Sequence, residues 1–308
     1  MTEGYQALRH GAAWINVSAR GRFVARGRDR ARYFHNVTSN DVKKLAPGSG
    51  CYGFVLTPQG RIQADLYLLC FAEYFLLDTE PELRERLPQL ILRYKVADQV
   101  ELEDVTGKIS AIGLEGPGSA AVLASLNAPV PGEDSAHLAW CDATVAAVSL
   151  TGQPGFRIYC PADALGEMAA KIAAAGAKVA TAEDARVVRI ENGRPRFGED
   201  IRDTSLPQET GQMQAVSFTK GCYVGQEIVE RIRAQGHVNR KLVRLEIDAA
   251  EPPATGARLT ADGADVGEIT SSTISPESGK VVAIGYVRAV HANAGAVLQA
   301  GQLTAHVL

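Results

Sequence analysis

The sequence predicts an α+β protein that ends in a small antiparallel β-barrel. Strand-like and helix-like segments are mixed, without the regular alternation that marks a doubly wound parallel sheet. After residue 237 the pattern changes to short strand-like segments separated by Pro, Gly, Asp and Ser. No low-complexity linker separates the two parts, so we expect closely packed domains spanning residues 1–237 and 238–308.

Each element of the first part follows from its local sequence. Residues 52–71 predict a β-hairpin, because two apolar runs flank a turn sequence at Pro58-Gln59-Gly60. The alanine-rich segment 162–175 predicts a helix that Gly176 closes, and Thr181 with Asp184 predicts a capping box that opens the next helix. The other predicted elements are helices at 81–92 and 118–126 and strands at 100–106, 108–116, 144–150 and 155–160.

Composition narrows the class of function. The chain has 308 residues, of which 46% are hydrophobic and 22% charged, as in ordinary globular proteins. Its net charge of −3 provides no field that would draw it onto nucleic acid, so we expect no direct nucleic-acid binding. No apolar run approaches the about 20 residues that span a bilayer, and the first residues lack a secretion signal. These features predict a cytoplasmic protein that does not contact membranes.

The cysteines predict neither disulfides nor a metal site. Five cysteines occur, their spacings are wide, and no C-x-x-C pair is present. An odd number at such spacings argues against a disulfide framework, a zinc ribbon and a self-contained iron–sulfur ligand set. We therefore expect a reducing compartment and no metal bound by the protein.

Asp65 is a carboxylate within an apolar strand of the predicted hairpin. Strand alternation places it on the same face as Tyr67 and Leu69. A carboxylate in that setting either lies at a rim in water or is buried with a partner, and the residues alone leave both alternatives open.

An arginine-rich stretch lies near the N-terminus. It is a solvated strand edge in one interpretation and an anion site, for RNA phosphates or a polyglutamate tail, in the other. Aromatic residues, which nucleic-acid platforms use for stacking, are sparse in it. The arginines are Arg20, Arg22, Arg26, Arg28, Arg30 and Arg32.

The most specific local pattern is K-G-C-Y-V-G-Q-E at residues 220–227. It predicts a helix over 227–236, with Glu227 and Arg231 paired at i, i+4. Cys222 would lie beside Lys220 and just ahead of that helix, and both a neighbouring ammonium and a helix N-terminus favour the thiolate form. A structural cysteine buried as a small hydrophobe is the alternative.

Residues 217–242, SFTKGCYVGQEIVERIRAQGHVNRKL, resemble the K-G-C-aromatic-x-G-Q-E signature of the YgfZ/IBA57 (CAF17-like) branch of the glycine-cleavage T-protein family. The likeness covers most of the chain. YFHNVTSNDVKKL (33–45), TPQGRIQADL (57–66), RIENGRPRFGED (189–200) and VGEITSSTISPESGKVVAIGYV (266–287) are similar to further motifs of that family.

The resemblance implies a T-protein-like α+β fold, with two intertwined folate-binding parts around a central channel and the C-terminal barrel behind. It implies tetrahydrofolate as cofactor and a role in maturation or repair of 4Fe–4S enzymes, with a link to tRNA modification. Iron–sulfur client or assembly proteins would be the partners of a monomer. The implied functional residues are Cys222, Lys220 and Asp65, and the implied folate contacts are Asp65, Arg189, Glu191, Tyr223, Gln226, Glu227 and Arg231.

The sequence departs from the aminomethyltransferases of this family at two positions. Their paired aspartates are reduced here to Ala64-Asp65, and a glutamate that contacts the pterin is replaced by Gln153. An amide is a weaker acceptor than a bidentate carboxylate for the pterin's two donors. Three hypotheses remain: a folate-binding accessory protein for iron–sulfur enzymes, a folate-dependent aminomethyl or one-carbon transferase, and a folate-independent interaction protein.

Overall fold

Two open sheets and one closed barrel contain all the strands of the computed structural model, which describes residues 1–308. The helices are α1 Glu3–His10, α2 Arg30–Val37, α3 Arg86–Leu92, α4 Ser119–Ser125, α5 Leu165–Ala174, α6 Ala182–Glu191 and α7 Gln226–Gln235. The strands are β1 Ala13–Asn16, β2 Gly21–Arg26, β3 Gly50–Leu56, β4 Ile62–Cys70, β5 Phe75–Thr79, β6 Glu101–Asp104, β7 Ile109–Glu115, β8 His137–Trp140, β9 Ala143–Ala146, β10 Gly155–Pro161, β11 Lys178–Val179, β12 Arg240–Ile247, β13 Arg258–Ala261, β14 Ala264–Ile274, β15 Val281–Arg288, β16 Val297–Ala300 and β17 Leu303–Val307.

The first sheet has five antiparallel strands in the order β3-β4-β5-β2-β6. Its β3–β4 hairpin turns where the sequence predicts, because Gly60 adopts a φ of 74° that favours glycine. The hairpin register pairs Tyr52 with Tyr67 and Phe54 with Asp65. This places Asp65 in the middle of a buried sheet, not at its rim.

The second sheet has six strands in the order β11-β1-β7-β10-β9-β8. Strand β1 begins this sheet, the chain then builds the whole first sheet, and it returns to pair β7 with β1. The two sheets are therefore interleaved along the chain, and one apolar core joins residues of both. Helix α6 opens with the predicted capping box between Thr181 and Asp184.

Strands β12 to β17 form the C-terminal barrel. It closes because β12 pairs with both β15 and β17, and all its pairings are antiparallel. Leu245, Ile269 and Val287 are fully buried in an apolar core of its own. The prediction of an α+β fold with a C-terminal antiparallel β-barrel is confirmed.

The barrel is joined to the rest of the chain through Asp200, which is fully buried. The hydroxyl groups of Thr270 and Ser271, both on β14, donate to its Oδ1 over 2.6 and 2.7 Å. Ser205 and Tyr286 add a second hydroxyl contact of 2.7 Å. Buried polar contacts thus set how the barrel packs on the segment after α6.

Candidate functional site

A small polar cavity lies where β3 and β4 of the first sheet face β10 of the second. Its volume is about 30 Å³, room for a few water molecules only. A groove of about 360 Å³ adjoins it and shares five of its residues: Arg20, Glu80, Leu150, Arg189 and Arg196. The cavity is lined by Arg20, Tyr52, Asp65, Tyr67, Glu80, Ser149, Leu150, Arg157, Arg189, Arg194, Pro195, Arg196 and Gln212.

Asp65 is the acid of the cavity that has the fewest hydrogen-bond and ion-pair partners. Tyr52 donates its hydroxyl to Oδ2 over 2.7 Å, whereas Oδ1 is buried without a hydrogen-bond partner. Burial, followed by the nearby charge of Glu80, raises the pKa of Asp65 to about 6. A carboxylate that titrates near neutral pH and has an unpartnered oxygen can accept a donor from a ligand or act as a general base.

The other acids of the site are neutralised by arginine. Asp78 is fully buried and accepts from Arg20 over 2.6 Å and from Arg157 over 3.0 Å. Burial opposes its ionisation, but the two guanidinium groups outweigh that effect and lower the pKa of Asp78 below its usual value. Glu80 is paired with Arg20 and, over 3.0 Å, with Arg196. These acids serve to hold the arginines in place.

Arg194 is different, because its guanidinium pairs with no carboxylate. It donates from Nη2 to the hydroxyl of Tyr67 over 2.6 Å and lines the cavity. In the 194–196 segment, Arg-Pro-Arg, the charge of Arg196 is paired with Glu80 and Glu82. The charge of Arg194 remains available to an anionic or acceptor group of a ligand. The sequence interpretation missed Arg194, although it lies inside the recognised 189–200 motif.

Arg189, one of the implied folate contacts, has its charge paired within the protein. It reaches the cavity wall, but its guanidinium pairs with both Glu199 and Asp200, so its charge is neutralised within the protein. Glu191 is not brought to the cavity at all. It accepts a 2.7 Å hydrogen bond from Tyr5 of α1 and lies 3.7 Å from Arg9. Of the implied folate contacts, Asp65 and Arg189 thus lie at the cavity, whereas α6 turns the side chain of Glu191 toward α1.

Lys220 is a buried clamp on the end of α2. Its ammonium donates to the backbone carbonyls of His35, Thr38 and Asn40, the latter two over 2.6 and 2.9 Å. Burial lowers the pKa of Lys220 to about 8, so the ammonium is the main form at pH 7. Helix ends leave carbonyls without intrahelical partners, and Lys220 satisfies those of His35 and Thr38, while the carbonyl of Asn40 also accepts from the N–H of Val42. All three donors of this ammonium are used on the backbone, so any assistance to the Cys222 thiol would come from its charge and not from a hydrogen bond.

Cys222 is exposed, so it is not a buried structural cysteine. The neighbouring Tyr223 packs inward, with the Lys220 ammonium 4.7 Å from its ring centre. Gly225 is needed where it stands, because its φ is 84° and an added Cβ would lie 2.5 Å from the Thr57 carbonyl oxygen. The motif is therefore docked against the turn of the β3–β4 hairpin.

The remaining residues of the motif lie outside the cavity. Helix α7 begins at Gln226, one residue earlier than predicted. Glu227 and Arg231 are both exposed and form no ion pair with each other. The ion pair on this helix is between Arg233 and Glu230. The structure thus separates two groups of predicted site residues: Asp65 and Arg189 line the cavity, and residues 220–231 lie outside it, against the end of α2 and the turn of the β3–β4 hairpin.

The arginine-rich stretch does not form one surface. Arg20 belongs to the cavity, and Arg22 is fully buried, donating to the carbonyls of Ile109 and Ser18 over 2.7 and 2.6 Å. Strand alternation does not separate Arg22 from Arg26, since both lie on the same face of β2 and only Arg26, the last residue of the strand, is exposed. Both interpretations drawn from the sequence therefore fail for Arg22. None of the helices combines the length and hydropathy required to cross a membrane.

Comparison with known proteins agrees with this architecture. Residues 1–220 match the family model of the GCVT N-terminal domain, and residues 240–307 match that of the glycine cleavage T-protein C-terminal barrel domain. Aminomethyltransferases of Geobacillus kaustophilus and Caldanaerobacter subterraneus subsp. tengcongensis are 29% and 26% identical, over 93% and 94% of this chain and 82% and 81% of theirs. A putative chloroplastic transferase of Arabidopsis thaliana is 26% identical over 97% of this chain and 71% of its own.

A solved structure has the same fold. The crystal structure of the glycine cleavage system aminomethyltransferase T from Bartonella henselae superimposes with a TM-score of 0.89, at 21% identity, over 99% of this chain and 87% of that one. The T-protein-like fold that the sequence predicts is thereby confirmed. Because the two family models together span nearly all its residues, the chain belongs to the glycine-cleavage T-protein family.

Proposed function

We propose that this protein binds tetrahydrofolate and acts as an accessory protein in the maturation or repair of 4Fe–4S enzymes, as a member of the YgfZ branch. The observation that carries this proposal is the exposed thiol of Cys222, in a loop fixed by the buried Lys220 clamp. A rigidly held, accessible thiol is suited to contact a second protein, whereas the folate would lie on the other side of the hairpin turn.

The cavity and its groove carry the folate part of the proposal. The cavity alone is too small for a pterin, but the adjoining groove has a volume in the range usual for small-molecule sites. Asp65, with its unpartnered Oδ1, would accept from the ligand's donors, and Arg194 would bind an acceptor or anionic group. Bound tetrahydrofolate would supply a nitrogen that carries a one-carbon unit.

The alternative is a folate-dependent aminomethyl transfer, the activity after which several relatives are named. Asp65 favours it, because a carboxylate with a pKa of about 6 can accept a proton at neutral pH. Gln153 opposes it, because an amide cannot replace the charge of the glutamate that the transferases use. Loss of that anchor would loosen the pterin, and small displacements at a reacting centre are expensive in rate.

We further propose a cytoplasmic monomer whose folate-binding unit spans residues 1–237 and whose barrel spans 238–308. Its five cysteines are all free, which suits a reducing compartment. Iron–sulfur client or assembly proteins are the proposed partners. The link to tRNA modification would run through such client enzymes, without direct nucleic-acid binding by this chain.

The decisive test of the accessory role is complementation. Cells that lack this protein, and have reduced activity of a 4Fe–4S enzyme, are supplied with the wild type, with Cys222→Ser or with Cys141→Ser. Cys141 is the matched control, because it is also exposed. We expect activity to be restored by the wild type and by Cys141→Ser only. Full restoration by Cys222→Ser would reject the proposed role of this thiol.

Two further measurements separate the hypotheses. Calorimetric titration with tetrahydrofolate distinguishes a folate protein from a folate-independent interaction protein, which would give neither heat nor a melting shift. The transferase hypothesis is tested by supplying aminomethylated lipoyl carrier protein and tetrahydrofolate and measuring the formation of methylene-tetrahydrofolate. Turnover comparable to that of an established aminomethyltransferase, lost in Asp65→Asn, would establish the alternative.

A further inference from the structure

Glu115 is a fully buried acid at the end of β7. Its carboxylate forms no ion pair, and its partners are all hydrogen-bond donors of one segment, residues 149–151. Burial raises the pKa of Glu115, while the donors of Leu150, Thr151 and Ser149 act against that effect by favouring the charged form. A buried acid with this many donors from a single segment fixes the position of that segment.

Both carboxylate oxygens of Glu115 are used. Oε1 accepts from the backbone N–H of Leu150 over 2.7 Å. Oε2 accepts from the hydroxyl groups of Ser149 and Thr151 over 2.9 and 2.7 Å, and from the N–H of Thr151 over 3.3 Å. The carboxylate therefore has no lone pair directed at the cavity and serves the segment alone.

The two hydroxyl groups extend this network to the next residues. The N–H of Gly152 donates to Oγ of Ser149 over 2.9 Å, and the N–H of Gln153 donates to Oγ1 of Thr151 over 3.2 Å. Glu115 thus holds the N–H groups of four consecutive residues, 150–153, either directly or through one hydroxyl. A buried polar network in which every member has a partner is rigid.

Gly155 makes room for the carboxylate. It lies directly opposite Glu115 in the pairing of β7 with β10. A Cβ added to Gly155 would lie 2.8 Å from both the carboxyl carbon and Oε2 of Glu115. The backbone of Gly155 does not have a positive φ, so alanine fits it and would displace the carboxylate alone.

The segment that Glu115 holds is a wall of the proposed folate site. Ser149 and Leu150 line the cavity, and Leu150 also lines the groove. Glu115 lines neither, so it can influence a ligand only through this wall. Gln153, which replaces the glutamate of the transferases, is held at its backbone N–H by the same network.

We propose that Glu115 is a positioning residue of the folate site, and that it holds residues 149–153 where Ser149 and Leu150 meet the ligand. The inference rests on the proposed folate binding for the identity of the ligand. It rests on the hydrogen bonds of Glu115 for the position of the wall. Because four donors converge on one carboxylate, one substitution at Glu115 releases the whole wall.

Two variants perturb the wall in different ways. Glu115→Gln keeps the side-chain length but replaces one acceptor oxygen by an amide NH2 group, which only donates. Gly155→Ala keeps the charge and moves the carboxylate, and it provides the test if Glu115→Gln does not fold. Glu101→Gln, at an exposed position of β6, is the matched control. Hydrogen exchange of the full-length protein, followed by mass spectrometry of peptides containing residues 149–153, reports on the wall without a ligand.

We expect the amides of residues 150–153 to exchange about tenfold faster in both variants, as for the loss of one hydrogen bond to a charged group, and the barrel to exchange as in the wild type. The dissociation constant of tetrahydrofolate, measured by calorimetry where all variants are folded, should rise about tenfold, because binding must then order the wall. Glu101→Gln should match the wild type in both measurements.

Wild-type exchange at residues 150–153 in a folded variant would overturn the proposal. A lower melting temperature with unchanged affinity of the folded variants would also overturn it, because Glu115 would then be merely structural. Failure of the folate proposal is detected separately, since a wild type that binds no tetrahydrofolate would reject the folate site, while faster exchange in the variants would still identify Glu115 as the residue that fixes this wall.

Discussion

The hydroxyl of Tyr52 donates a 2.7 Å hydrogen bond to Oδ2 of Asp65 across the β3–β4 hairpin, while Oδ1 of the same carboxylate has no partner. A buried acceptor without a donor costs free energy, commonly about 1–3 kcal/mol. That cost persists in the folded protein because neighbouring groups hold Asp65 in place. Such an oxygen is the point at which a ligand's donor gains most, since its own desolvation has already occurred.

The first prediction concerns the pH dependence of stability. Asp65 has a pKa of about 6 when folded, against about 3.9 for an unfolded aspartate. Between these values the folded protein binds more protons than the unfolded chain, so its contribution to the free energy of unfolding falls as pH rises from 4 to 6. Asp65→Asn removes this dependence. Relative to the wild type, the variant should gain about 2 kcal/mol between pH 4 and pH 8.

Urea denaturation at both pH values measures this difference. Asp265→Asn, at an exposed ion pair of the barrel, is the matched control and should follow the wild type at both pH values. If the stability–pH profiles of Asp65→Asn and the wild type run parallel, Asp65 titrates normally, and its role as a general base that titrates near neutral pH loses its basis.

The second prediction tests the contact between the barrel and the rest of the chain. Asp200→Asn removes the charge that pairs with buried Arg189 and presents an amide where Thr270 and Ser271 need an acceptor. Removing one partner of a buried ion pair costs about 3 kcal/mol, although Glu199 remains beside Arg189. We expect a melting temperature lower by roughly 8 °C, provided that unfolding is close to two-state.

Scanning calorimetry also shows whether the two parts unfold together. If Asp200 couples them, the variant should show a broader or split transition. The exposed Asp265→Asn should change the stability by less than about 0.5 kcal/mol. A single transition at the wild-type temperature would mean that Glu199 alone suffices for Arg189.

Local patterns predicted much of the fold, and long-range contacts explain most of the errors. The barrel, the hairpin turn at Gly60 and the capping box at Thr181 depend on residues close in sequence. The pairing of Arg189 depends instead on Asp200, whose own position is set by hydroxyl groups of the barrel 70 residues further on. Nothing within α6 marks Arg189 as neutralised.

The same reasoning applies to the cysteine motif. The sequence indicated a lysine close to a thiol, but the ammonium of Lys220 finds its acceptors at Thr38 and Asn40, 182 and 180 residues away. In the sequence, His35 is one residue of the 33–45 motif, and its position close to Gly221 arises only from folding. The exposure of Cys222 also depends on tertiary structure, because the same residues could be buried in another fold.

The third prediction separates the roles of Lys220 and Cys222. Lys220→Met leaves the buried carbonyls of His35 and Thr38, at the end of α2, without a donor, whereas the carbonyl of Asn40 keeps the N–H of Val42. Relief from burying an ammonium offsets part of that loss, so we expect a destabilisation of about 1–2 kcal/mol. Cys222→Ser should leave the melting temperature nearly unchanged, because the side chain is exposed.

Lys43→Met is the control, since Lys43 is exposed and its side chain makes no such contacts. Thermal melts of the three variants are the measurement. A large loss of stability with Cys222→Ser would show that the thiol packs in a core. Wild-type stability with Lys220→Met would mean that water replaces the ammonium at the three carbonyls.

The fourth prediction concerns Arg194, whose guanidinium lines the cavity and is tied only to the hydroxyl of Tyr67. An unpaired cation is available to a ligand, and its removal leaves any acceptor or anionic group of bound tetrahydrofolate without a partner. Truncating one side of a buried charged contact commonly costs 2 kcal/mol or more, about thirtyfold in affinity. Arg194→Met should therefore raise the dissociation constant of tetrahydrofolate about thirtyfold, by calorimetry. Arg258→Met, on an exposed pair of the barrel, should bind as the wild type does. Equal affinities of Arg194→Met and the wild type would remove the cavity from the folate site, and binding would have to be sought in a part of the groove that Arg194 does not reach.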